Sequence, residues 1–118
     1  KICFLGVTFK ANTDDMRDSS SLKMIPYLSK KGAIINYYDP TGLKKEFSKL
    51  KNVYFCKNVK SALAHSDLVI IHTEWNDFKS LNFKSIIKKK NFVIYDMRNI
   101  YSSSKMLKEK IKYFGVGR

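Results

Sequence analysis

Three cations stand among the residues best suited to chemistry: Lys10 and Arg17 in "GVTFKANTDDMRDSSSL", and Arg98 in "YDMRNIY". Ammonium and guanidinium groups at the ends of apolar runs suit phosphate recognition, because their hydrogen bonds to an anion are charge-assisted. Gly6 is the only glycine near the first turn and no GxGxxG follows it. Backbone amides there do not wrap a pyrophosphate as they do in a dinucleotide-binding fold. Side chains must do that work instead: Lys10, Arg17, Arg98 and the serine-rich helix start at 19–21. Taken singly, each has a plainer reading. Lys10 suits a solvated lysine, and Arg98 can pair with Asp96. Asp14-Asp15 is either a metal pair or an Asx turn with a salt bridge to Arg17. Adjacent carboxylates usually point apart, which favours the turn.

The remaining reactive types read as structural. Cys3 and Cys56 fall in apolar runs, with no base or helix start to mark a nucleophile. His65 and His72 lack a third ligand for zinc. The serines form no nucleophile elbow, which argues against hydrolase chemistry. Trp75, the single tryptophan, suits core or lid packing.

These residues need elements to position them. Apolar runs rich in β-branched and aromatic residues recur at 2–7, 33–38, 53–56, 68–72, 92–95 and 111–116. Such continuous runs suit strands buried on both faces. Helical candidates lie between them at 20–31, 43–50, 61–65, 82–89 and 104–109. The alternation predicts a parallel α/β sheet with right-handed crossovers. Ser19, Ser20 and Ser21 are placed to cap the first helix, Gly32 to end it, and Pro26 to kink it. Asp39-Pro40 stops the second strand. Ligands of open α/β sheets bind beyond the carboxyl ends of the strands, where Lys10, Asp39, Glu74 and Arg98 all fall.

The 118 residues suit one domain with a single core. The chain opens on Lys1 directly into a strand, which reads as a piece of a longer protein without a signal peptide. No stretch has the length of a membrane span. The net charge of +13 raises nucleic acid as a partner, but the lysines spread over several helix faces without any RNA- or DNA-binding motif. Solvated lysine surfaces, and no nucleic acid, are the expectation. The two thiols point to a reducing, cytoplasmic setting.

"GVTFKANTDDMRDSSSL", "YYDP", "HTEWNDF", "YDMRNIY" and the closing "YFGVGR" together resemble the carboxyl-terminal UDP-binding domain of the UDP-glucose 6-dehydrogenase family. That family also includes GDP-mannose and UDP-N-acetyl-sugar dehydrogenases. The resemblance covers residues 1–118 as one domain. It implies a Rossmann-like three-layer αβα sandwich with a mainly parallel six-stranded sheet in the order 3-2-1-4-5-6. It implies an enzyme that oxidises a nucleotide sugar twice at C6 with two NAD, for polysaccharide biosynthesis. The NAD-binding amino-terminal domain, the dimerising central helix and the catalytic cysteine lie outside this chain, so the domain alone is expected to be inactive. By motif position, Phe9, Lys10 and Arg98 resemble the substrate contacts. Arg17 resembles the arginine that reaches NAD across the cleft. Phe9 before Lys10 is most similar to the UDP-glucose members. A GDP-mannose or UDP-N-acetyl-sugar enzyme, or a non-catalytic nucleotide-binding module, is the alternative.

Overall fold

The computed structural model describes residues 1–117, so the last residue of "YFGVGR" lies outside the described residues. Six strands form one sheet: β1 (Ile2–Leu5), β2 (Ile35–Tyr38), β3 (Val53–Phe55), β4 (Leu68–Ile71), β5 (Val93–Asp96) and β6 (Lys112–Gly115). Their order is β3-β2-β1-β4-β5-β6, as the resemblance implies, and every pairing is parallel. Four α-helices accompany the sheet: α1 (Ser21–Lys30), α2 (Val59–Leu63), α3 (Phe83–Ile86) and α4 (Ser103–Lys108).

Alternating side chains of each strand feed two separate cores. Phe4, Ile35, Tyr37 and Ile70 face α1, where Ile25 and then Phe47 of a 3-10 turn close over them. Cys3, Leu5, Val69, Ile71 and Ile94 face the other way, against Leu63 of α2, Phe83 of α3 and Met106 of α4. This is the period-two alternation of a sheet buried on both faces, and it makes three layers.

Local chemistry explains the element ends. Gly32, at φ +95, closes α1 in a Schellman arrangement: its N–H bonds the Ser29 carbonyl and that of Ala33 bonds the Leu28 carbonyl. The helix runs through Pro26. Two expected helices are shorter in the structure. The segment 43–50 holds only the 3-10 turn Lys45–Phe47. In 82–89 the helix stops at Ile86, because Ile87 turns extended and the Lys88 N–H leaves to bond the Ala64 carbonyl.

Of the serines at the start of α1, only Ser19 caps: its hydroxyl accepts the Ser21 N–H at 3.3 Å. Ser20 sits at the N-cap without a side-chain cap bond. Its hydroxyl instead meets His72, while those of Ser19 and Ser21 donate to the Val7 carbonyl. They fasten the helix to the ends of β1 and β4.

Candidate functional site

Between Val7 and Lys10 the chain leaves β1 along the carboxyl edge of the sheet, and almost every backbone group there is held. Asp39, 1% exposed at the end of β2, accepts the Val7 N–H at 2.8 Å and the Thr8 N–H at 3.3 Å through one oxygen. Its other oxygen accepts from the Thr41 N–H and hydroxyl, at 2.9 and 2.6 Å. The Thr73 hydroxyl donates to the Thr8 carbonyl at 2.9 Å. The Phe9 N–H bonds the Asp15 carbonyl at 3.0 Å. The Lys10 carbonyl accepts from the Thr8 and Thr13 hydroxyls. Gly6 lets this turn lie against β4: its φ is +79, and a Cβ there would fall 2.5 Å from the Thr73 Cβ.

The Asp39 carboxylate carries a chemical consequence. It occupies the amides that hold a pyrophosphate in a dinucleotide fold. An anion arriving there meets a negative charge and finds the donors taken. Donors not already taken lie farther out, on the side chains of the first turn. Lys10 is exposed, its ammonium has no carboxylate within ion-pairing distance among the described residues, and the Phe9 ring beside it is 44% exposed.

Arg98 joins that spot from β5. Its Nε donates to the His72 carbonyl and its Nη2 to the Phe9 carbonyl, each at 2.9 Å. Its own N–H bonds Asp96 at 3.1 Å. No carboxylate pairs with the guanidinium among the described residues, so its positive charge stays available to a ligand. The alternative pairing with Asp96 is made by the backbone N–H alone. Asp96 spends its second oxygen on the Tyr101 N–H and the Tyr113 hydroxyl.

His72 lies beneath Arg98, 1% exposed. Its Nε2 is 2.8 Å from the Ser20 hydroxyl and its Nδ1 is 3.2 Å from the Thr73 hydroxyl. Burial first, and then the Arg98 charge, hold the imidazole down to about 4, against a weaker upward pull from Asp39. The ring is therefore neutral at pH 7 and adds no positive charge beside Arg98.

Arg17 stands apart from this cluster, in the later half of the loop. Its Nε and Nη2 each lie 3.1 Å from an Asp15 oxygen, and Asp15 also accepts the Arg17 N–H. Those hydrogen bonds lower the Asp15 carboxyl and raise the Arg17 guanidinium. The Asx turn and salt bridge are thus present together. The Arg17 side chain is 88% exposed, at the rim. An open hollow of about 500 Å³ beside it is lined by Asp14, Asp15, Met16, Arg17, Leu22 and Glu46. Three carboxylates make that hollow a poor seat for phosphate.

The geometry therefore brings Phe9, Lys10 and Arg98 together and leaves Arg17 on the rim. Sequence reasoning gave no site role to Asp39, Thr73 or His72. The signal for Asp39 was present: an acid that ends the strand beside β1, at the ligand-binding edge.

Comparison with known proteins gives the family. Residues 3–103 match the profile of the UDP-glucose/GDP-mannose dehydrogenase family, UDP binding domain. A UDP-glucose 6-dehydrogenase of Rhizobium meliloti is 37% identical over the whole chain, which covers 27% of that relative. The UDP-glucose 6-dehydrogenase TuaD of Bacillus subtilis is 32% identical over 99% of the chain, which covers 26% of it. A UDP-glucose dehydrogenase structure from Pyrobaculum islandicum superimposes with a TM-score of 0.75 at 30% identity, over 98% of this chain and 24% of that one. The chain thus spans about a quarter of the length of the relatives it matches. The six-stranded parallel sheet, the side-chain edge that replaces a glycine loop and the match over 3–103 have one conclusion: the chain belongs to the UDP-glucose/GDP-mannose dehydrogenase family, as its UDP-binding domain.

Proposed function

We propose that Phe9, Lys10 and Arg98 form one wall of a nucleotide-sugar cleft in an enzyme that oxidises UDP-glucose to UDP-glucuronate with two NAD. The observation that carries this reading is the 2.9 Å bond from Arg98 to the Phe9 carbonyl. It puts two long cations, from strands that are not neighbours, at one edge with no carboxylate to neutralise them. A diphosphate is the ligand that such a pair suits. The bonded loop around Lys10 supports the same reading, because a preorganised contact loses less freedom on binding.

NAD fits this domain only at its margin. The Asp39 carboxylate leaves no seat for the dinucleotide's pyrophosphate at the first turn. Arg17 fits as a contact from the rim, since its exposed guanidinium can offer its outer edge to a phosphate held by another domain. When bound, NAD supplies the hydride acceptor. This domain's residues hold and orient the nucleotide sugar, and the nucleophile lies elsewhere in the protein. Burial pushes the Cys3 thiol up, away from reactive thiolate, and burial raises Cys56 too. Both are unpaired, which fits a reducing cytoplasm. No helix among the described residues is long and apolar enough to cross a membrane. The product serves polysaccharide biosynthesis, and the whole enzyme works as a homodimer or larger assembly.

The test is NADH formation by the full-length protein, offered UDP-glucose, UDP-N-acetylmannosamine or GDP-mannose in turn. UDP-glucose should be oxidised with two NADH per sugar, and residues 1–118 alone should give none. Preference for another nucleotide sugar would replace the substrate. Binding without any oxidation would make the protein a nucleotide-binding module.

A further inference from the structure

Among the described residues, one half of one sheet face is bare. α1 covers β1 and β2, while α2, α3 and α4 all pack on the opposite face. On the α1 side, β5 and β6 present Val93 beside Lys112 and Tyr95 beside Phe114 in direct register. Tyr95 is 37% exposed, Phe114 51% and Val116 46%. All-parallel sheets are stable with both faces covered, and a row of aromatic and branched side chains on one is an unfinished core.

The border of this patch is basic. A hollow of about 220 Å³ at the amino end of β5 and β6 is lined by Lys90, Asn91, Phe92, Val93, Lys110 and Lys112, with no carboxylate among the described residues of its wall. Two copies of the chain meeting through this surface would bring lysine to lysine, on a protein of net charge +13. About three quarters of the length of the relatives lies outside this domain.

We propose that the bare half-face is the seat of an amphipathic helix from the remaining part of the same polypeptide. Its apolar stripe covers Tyr95, Phe114 and Val116, and acidic residues at one end meet Lys90, Lys110 and Lys112. This rests on the reading that the domain is part of a longer dehydrogenase. It adds which surface of the domain is internal and what chemistry covers it.

Hydroxyl-radical labelling of the full-length protein, read residue by residue, tests it. Tyr95 and Phe114 should react at least about tenfold more slowly in the folded protein than in urea, because a covered aromatic face excludes the probe. A bare face, at 37% and 51% exposure, would slow them only about two- to threefold. Carbodiimide, which joins lysine to a touching carboxylate, should link Lys110 or Lys112 to an acid outside residues 1–118 of the same molecule. Fast labelling of Tyr95 and Phe114 would overturn the proposal. So would protection lost on dilution, or cross-links formed only between isotopically distinct copies, since both would make the occupant a second subunit. Absence of UDP-glucose oxidation would remove the enzymatic reading and leave this outcome readable, because labelling and cross-linking need no substrate.

Discussion

Arg98 and Phe9, 89 positions apart in sequence, are joined by a 2.9 Å bond from the guanidinium Nη2 to the backbone carbonyl. With the second bond to the His72 carbonyl, one side chain ties the ends of β4 and β5 to the loop after β1. Arg98 thus fixes where Lys10 stands while its own charge remains available. In the full-length enzyme, Arg98→Ala should reduce kcat/KM for the nucleotide sugar by about 1.5–3 kcal/mol, the range of a hydrogen bond to a charged group. Arg98→Lys should recover little of that loss, because a single ammonium cannot span both carbonyls. Full activity in Arg98→Lys would show that only the charge matters.

Asp39 acts on the fold. Removing its carboxylate leaves the buried Val7 and Thr8 amides without acceptors. Asp39→Ala should cost about 2–4 kcal/mol in urea unfolding, because a buried unsatisfied donor loses its full hydration. Asp39→Asn should cost less, since its amide oxygen can still accept from Val7. A loss below about 0.5 kcal/mol for Asp39→Ala would place it with ordinary surface changes.

Most of the fold was legible in the sequence, because runs such as "CFLGV" and "LVII" are apolar on both faces and read as strands of a parallel sheet. The edge carrying Lys10 and Arg98 followed from the same alternation. The place of Asp39 at that edge was legible too, but its bonds to the Val7 and Thr8 amides were not, since these partners lie 32 and 31 positions away. The short helices at 43–50 and 82–89 were overread for a similar reason. Lys88 finds its acceptor on Ala64, a tertiary contact that no local propensity contains.

His72 makes stability depend on pH in a defined window. Its folded value, about 4, lies below the ordinary 6.5, so the unfolded chain binds the proton more readily. Stability should be full above pH 6.5 and fall as pH drops from 6.5 towards 4, by an amount on the order of 3 kcal/mol. Asp67, whose carboxyl is lowered first by its hydrogen bond to Lys89, adds its loss only below pH 4. Urea midpoints across pH 4–7 should show the slope in the wild type and a flatter one in His72→Gln. An unchanged slope in the variant would assign the proton to another group.

Gly6 tests how the first turn is packed. Gly6→Ala places a methyl 2.5 Å from the Thr73 Cβ at a φ of +79, so both space and backbone oppose it. The variant should lose at least about 2 kcal/mol in urea unfolding. Wild-type stability would mean that β1 and β4 separate enough here to admit a side chain.

The claim that the carboxyl edge of this sheet receives the diphosphate is tested most directly through Lys10, which is exposed and whose ammonium has no carboxylate partner among the described residues. The measurement is calorimetric titration of UDP-glucose into full-length wild type and Lys10→Ala at the same pH and salt. Lys10→Ala should keep its melting temperature and bind more weakly by about 1.5–3 kcal/mol, roughly ten- to a hundredfold in Kd. Unchanged affinity in Lys10→Ala would contradict the account.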